Sequence, residues 1–300
     1  MRKVETIQRD LDTGEILDNQ INLLKSNERI ETNVKNILTP GQKSFFNRNS
    51  ELHQHSKKLG GYVHMSYKEN TTLFSDTTLD KTNISRLIYL STFLDFNDRE
   101  ENLLVKVIQN NKRVPMNRED IQKVLLLKDT TFKSFLRDMR TNNMLYEVNG
   151  KFYLNTDYFN RGNSKYNTYT RVFINTIRDL YSGVSARQHK LLGQAFQLIP
   201  FLHYDSNVLC KNPKEIDYTK REKLTLEDIA TILGTSTDRS NLSKLKKSLE
   251  SLTVNVNGDN LPLFKYVPKP YDYFVINSYV IWSGTDVSKM KENIQFYFFS

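Results

Sequence analysis

Cysteine occurs once in 300 residues, at Cys210, so no internal disulfide framework braces this chain. Histidine is nearly as scarce. Five imidazoles, with only His53 and His55 close together, leave no Cys, His or carboxylate set at metal-ligand spacing, so neither a metal nor a cofactor is expected. No apolar run approaches the length of a bilayer-crossing helix, and Met1–Asp10 has no signal-peptide core. The expectation is a cytoplasmic protein without a membrane partner. Gly60-Gly61 lacks the following Lys-Ser/Thr of a phosphate loop. The tyrosines lack the His cluster that a nicking nucleophile needs, and Cys210, in NVLCKNP, reads as a packed small side chain with only His203 as a potential base. No motif supports catalysis, no catalytic residue is assigned, and the chain reads as a non-enzyme.

What is abundant points elsewhere. Sixteen Tyr and 17 Phe supply a core, and 43 basic against 34 acidic residues leave a net charge of +9, which favours a polyanionic partner. The excess is spread as +2, +3 and +4 over residues 1–75, 76–165 and 166–300, with no basic tail.

Along the chain, Val4–Leu17 alternates around Asp12-Thr13-Gly14 and predicts a small hairpin. Leu38–Gly61, rich in turn residues, reads as loop or linker, and Gly61–Tyr67 as a strand. Apolar residues three or four apart predict a helix over Thr82–Leu94, then an extended RVPM, then two short helices within NREDIQKVLLLKDTTFKSFLRDMR (Asn117–Arg140). Met144–Asn155 alternates on both sides of Asn149-Gly150, a strong hairpin signal. Helix, strand, helix, turn, helix and hairpin is the order of a winged helix.

The order returns. Ile84–Leu127 laid without gaps on Leu192–Thr235, 108 positions on, gives 11 identities in 44, among them Lys106/Lys214, Glu119/Glu227 and Asp120/Asp228. NTDYFNRG returns as NSYVIWSG 122 positions on, so the second wing is expected to be about 14 residues longer, within Asn257–Pro270. Phe173–Tyr181 reads as a connecting helix, with the halves separately folded and joined near Gly162–Thr170. The expected fold is α+β and predominantly helical. It has an N-terminal hairpin and linker (1–75), a first winged helix (76–165), and a second with the longer wing (166–300).

In the first unit Phe132, Phe135, Leu136 and Met139 form the buried stripe of the third helix. Thr130, Lys133, Ser134 and Arg137 lie outward, with Arg140 at the end. In the second, Leu242, Leu245, Leu249 and Leu252 pack inward, leaving Arg239, Ser240, Ser243, Lys244 and Lys247 outward. Hydroxyl, ammonium and guanidinium groups at helical spacing suit a major groove, where Arg contacts guanine through two hydrogen bonds. An ordinary solvated face is the bland alternative, and the repetition of the pattern weighs against it. Glu119-Asp120 and Glu227-Asp228 resemble paired catalytic carboxylates but open helices, where they cap and complement the dipole. Asp129 and Asp238 read as caps of the third helices.

At MNREDIQKVLLLKDTTFKSFLRDMRTNNMLYEVNGKFYLN the chain resembles the winged-helix DNA-binding domains of low-GC Gram-positive phages and plasmids. Its repetition is similar in architecture to tandem winged-helix plasmid replication initiators. The resemblance covers about residues 76–285. It implies double-stranded DNA as partner, bound by Lys133, Ser134 and Arg137 and by Ser240, Lys244 and Lys247, with Lys151 and Lys265 as wing contacts. It further implies a role in replication initiation or transcription regulation, with replication or transcription proteins and a homodimer on DNA as further partners. The alternative from another class is a docking module, an inhibitor or adaptor of a host protein, which requires apolar side chains on the outward faces.

Overall fold

Strands β1 (Arg2–Arg9) and β2 (Ile16–Leu24) flank the Asp12-Thr13-Gly14 signal and pair antiparallel from Arg2↔Leu24 to Gln8↔Asp18, a longer hairpin than the alternation marks. The turn itself lies outside the described residues. These are 2–9, 16–24, 40–66, 79–96, 101–162, 169–256 and 258–299 of a computed structural model. The chain divides into two compact units, residues 1–44 and 45–300. The architecture is mixed α+β, dominated by helices, with several small antiparallel sheets.

The expected linker is largely a helix, α1 (Pro40–Lys58). Its apolar periodicity is weak, but Leu52 is buried in a cluster with Phe173, Trp282, Val287 and Met290, and His55 stacks on Tyr279. Tertiary cover, absent from any local pattern, holds it. Gly60 and Gly61, at φ of 78° and 85°, end it and turn the chain into β3 (Tyr62–Ser66).

The remaining elements come in matched series. Helix α2 (Lys81–Ser91), strands β4 (Val105–Val107) and β5 (Arg113–Pro115), helices α3 (Arg118–Val124) and α4 (Asp129–Thr141), hairpin β6 (Leu145–Val148) and β7 (Lys151–Leu154), and β8 (Phe159–Asn160) form the first half. Strand β9 (Tyr169–Phe173) and helix α5 (Ile174–Gly183) lead into the second. There α6 (Gln188–Phe196), α7 (Leu226–Ile232) and α8 (Arg239–Glu250) repeat α2, α3 and α4. Strands β10 (Thr253–Val256), β11 (Asp259–Pro262), β12 (Phe264–Val267), β13 (Tyr273–Ile276) and β14 (Ile281–Trp282) and helix α9 (Val287–Phe298) complete the chain.

Hydrogen bonds fix which residues correspond. Asn102, at φ 57°, donates its side-chain amide to the carbonyls of Leu154 and Phe159; Asn207, at φ 52°, donates to those of Ile276 and Ile281. Asn155 and Asn277 each bond back across their hairpin base, with Asn155 N on Met144 O and Asn277 N on Leu263 O. The counterpart of β6–β7 is therefore β12–β13. The extra length of the second half lies only in part in a longer wing, whose tip is Pro268–Asp272 against Asn149-Gly150 in the first half. Most of it is an additional hairpin, β10–β11, inserted before β12 and packed on α5. The motif Asn-Leu-Leu-Val-Lys at Asn102–Lys106 recurs as Asn-Val-Leu-Cys-Lys at Asn207–Lys211, so Lys106 corresponds to Lys211 and not to Lys214. Lys106 and Lys211 pair with Asp120 and Asp228 at 2.5 and 3.0 Å.

The halves do not stand apart. Strands β14-β9-β3-β8 make one sheet in which Tyr62↔Phe173 and Ser66↔Tyr169 exchange when β3 and β9 are swapped, as do Val63↔Val172 and Met65↔Thr170. His64↔Arg171 maps onto itself, so an approximate two-fold axis passes through that pair. Helices α2 and α6 pack closely across the same relation, Tyr89 stacks on Tyr181 at 4.0 Å, and Arg178 donates to Thr92 O at 2.8 Å. One cluster of buried apolar side chains runs from Val63 to Phe298. The segments expected to be separate therefore share packing: β3 is an inner strand, and Tyr169–Thr170 belong to its neighbour, while the boundaries expected at 75/76 and 165/166 lie outside the described residues. Residues 163–168 lie outside the described residues.

Each buried Asn holds two carbonyls and accepts a left-handed backbone that alanine resists. Asn102→Ala and Asn207→Ala are each expected to lower stability by about 2–3 kcal/mol in urea denaturation. A neutral result at either position would deny the correspondence.

Candidate nucleic-acid interface

Both second helices open with capping boxes. Asn117 accepts from Asp120 N and Asp120 from Asn117 N; Thr225 and Asp228 do the same. Burial works to raise the Asp120 and Asp228 carboxyls, but the bonds from Lys106 and Asn117 at the first, and from Thr225 and Lys211 at the second, hold them below the usual carboxylate range. The aspartate of each acidic pair is a helix cap and ion-pair partner within the fold. Asp238 caps α8 by accepting from Asn241 N, as expected. Asp129 does not cap α4: the N-cap is Lys128, without a side-chain bond, and Asp129 pairs with Lys133 at 2.7 Å instead.

The third helices bury the expected stripes. Phe132, Phe135, Leu136 and Met139 are at most 2% exposed, and Leu245, Leu249 and Leu252 are buried with Leu242 half-buried. Opposite them on α4, Thr130, Lys133 and Arg137 are exposed and Ser134 half-buried. The Ser134 hydroxyl accepts from Arg137 Nη2 at 3.2 Å. Arg140 pairs with Glu147 on β6 at 2.8 Å, which ties the helix to its hairpin. Two of the three basic groups of this face thus hold a carboxylate closely. Arg137, its side chain 75% exposed, lies 3.8 Å from Asp138.

On α8, Arg239, Ser240, Ser243, Lys244 and Lys247 are all exposed. Among the described residues no carboxylate lies within ion-pair distance of Arg239, Lys244 or Lys247. Lys246, half-buried, sets its ammonium 3.8 Å above the Tyr266 ring, and Tyr266 N donates to Glu250, so this helix too is tied to its hairpin.

Lys151 and Lys265 are not equivalent. Lys151 opens β7 beside the Asn149-Gly150 tip, whereas Lys265 lies inside β12, paired with Val275 and away from its tip. The tip of the second hairpin is Pro268–Asp272, with Lys269 and Tyr271 exposed and Lys223 against it. Sequence reasoning singled out none of Lys223, Lys246, Lys269 and Tyr271, because it read Asn257–Pro270 as one loop insertion and so did not see a hairpin tip at Pro268–Asp272. The Pro-Lys-Pro-Tyr-Asp run between LFKYV and YFVI was the available signal.

The groups considered for other chemistry are engaged in the fold. Burial pushes the Cys210 thiol up to about 12, which removes it as a nucleophile at neutral pH. The His203 ring bonds Glu215 O at 2.7 Å and accepts from Asp205 N. Among the described residues no three His, Cys, Asp or Glu side chains gather as a metal site, and no helix is long and apolar enough to cross a membrane. Two shallow hollows, about 540 Å³ at Asn212–Ile216 and about 420 Å³ between Arg140 and Gly150, lie open on the surface.

No protein-family model matches the chain, and no curated protein or solved structure is similar enough to count as a match.

Proposed function

We propose that the protein binds double-stranded DNA through two winged helices, reading sequence with α4 and α8, and serves replication initiation or transcription regulation. The observation that carries this is the exposed cationic face of α8 (Arg239, Lys244, Lys247), without a carboxylate partner among the described residues, on a helix whose opposite side is buried, repeated in polar character on α4. Outward positions on both helices are polar, so the docking alternative draws no support from them. The approximate two-fold axis favours two unlike half-sites in opposite orientation over a direct repeat.

Charge pairing divides the labour between the halves. Lys133 and Arg140 must leave Asp129 and Glu147 to reach phosphate, while Lys244 and Lys247 need not. Changing both Lys244 and Lys247 to Ala is expected to flatten the dependence of log K on log salt by about two, and Arg137→Ala by one or less. Arg137→Ala is expected to cost about 1–3 kcal/mol on the preferred site and to relax selectivity at one base pair. The duplex comes from selection out of a random pool, and anisotropy is followed over a range of salt. Binding without salt dependence, or unchanged slopes in the double variant, would remove DNA from the reading of α8.

A further inference from the structure

The hairpin tip of the second half is built to hold up a ring. Pro268 and Pro270 restrict the chain, Tyr271 N and Asp272 N both donate to Pro268 O at 3.2 and 3.5 Å, and Asp272 accepts from Tyr266 OH at 2.8 Å. On this braced turn Tyr271 stands 64% exposed. The Lys223 ammonium lies 5.6 Å from its ring and 4.3 Å from that of Tyr273 beneath. Lys269 is exposed beside it. A single exposed tyrosine is ordinary on a protein surface. This one differs in its setting, because the corresponding tip of the first half is Asn149-Gly150, with no Cβ at Gly150 and no ring. Two hairpins matched pair for pair along their strands differ at the tip.

We propose that Tyr271 is a wedge: it enters the minor groove, unstacks one base step and kinks the duplex held by α4 and α8, while Lys223 and Lys269 meet the flanking phosphates. The proposal rests on the duplex-binding reading above. Inserting a side chain between base pairs costs a few kcal/mol of stacking, offset by the additional surface that bent DNA brings into contact. A ring on a preorganised turn loses little entropy in doing so. The first half, without a ring at its tip, has no such wedge, so one kink is expected, displaced toward the half-site of α8.

The test uses the full chain on its selected duplex, with 2-aminopurine placed in turn at each step and donor and acceptor dyes at the ends. Wild type is expected to raise the fluorescence of one probe position several-fold and to shorten the end-to-end distance. Tyr271→Ala is expected to abolish both signals while anisotropy still reports binding with an unchanged salt slope, and Tyr271→Phe to retain them. Because the residue is exposed, thermal unfolding of both variants should coincide with wild type. Binding by wild type without a probe signal, or a signal that survives in Tyr271→Ala, overturns the wedge and leaves the duplex reading standing. Failure of wild type to bind any duplex overturns both.

Discussion

Gly193→Ala is expected to lose more than about 4 kcal/mol, a large share of the stability of a typical domain. A Cβ at Gly193 would lie 1.7 Å from the carbonyl oxygen of Lys81 and 2.6 Å from its carbon. Both are backbone atoms at the start of α2, so no rotamer change relieves the overlap. Helix α6 would have to move off α2 by more than about an ångström, pulling Leu192 and Phe196 out of contact with the shared core. At Gly183, at the end of α5, a Cβ would meet nothing within 4 Å among the described residues, and this position serves as the control. Gly183→Ala should stay within about 0.5 kcal/mol of wild type. Urea denaturation of the three proteins decides it. A Gly193→Ala midpoint equal to wild type would show that the two helices part without penalty. A strongly weakened variant should also lose the fixed spacing between the outward faces of α4 and α8.

Acid should unfold the protein through His64. This imidazole is 3% exposed, neither ring nitrogen has a hydrogen-bond partner among the described residues, and the rings of Tyr169 and Tyr62 lie 4.1 and 5.0 Å away. Burial first, and the neighbouring Arg171 second, push its pKa down to about 3. In the unfolded chain it titrates near the ordinary value of about 6.5. Between those values the unfolded state binds the proton that the native state refuses, so stability falls as pH falls through the window and is level above it. The loss is on the order of 4–5 kcal/mol across the whole window and about 3 kcal/mol by pH 4. His55, His189 and His203, lowered chiefly by burial, act in the same direction. The urea midpoint should therefore drop steadily from pH 7 to 4.5, and His64→Phe should flatten that slope. An identical slope in the variant would move the acid sensitivity elsewhere.

Legibility in the sequence followed the range of the interactions. Elements held by local signals were readable: the Asn149-Gly150 turn, with φ of 51° and 73°, the acidic first turns of α3 and α7, and the apolar stripes of α4 and α8. The outward residues of those helices follow from the same periodicity, so the candidate face was readable with them. What failed depended on distant partners. Helix α1 has few apolar residues of its own and is held by Phe173 and Trp282. The shared core was invisible because β3 and β9 meet across more than a hundred residues. The gapless alignment matched helices correctly but misassigned Lys106, since the correspondence through Asn102 and Asn207 needs a shift of three positions. Placing all the extra wing residues within Asn257–Pro270 left two hairpins unresolved from one another and hid Tyr271 at the tip of the second. Pairing of Lys133 and Arg140 with carboxylates likewise depends on rotamers that spacing does not determine.

The two-fold relation within one chain has a consequence for polarity. Two identical subunits about an axis present the same surface in both directions, and their union dissolves on dilution. Here the partners are joined by a continuous backbone and differ where it counts: Arg137 against Lys247, a bare tip against Tyr271, and an added hairpin on one side only. The molecule therefore has a front and a back. Any duplex gripped by both halves is gripped in a single direction, and anything recruited beside it finds a different neighbour to the left than to the right.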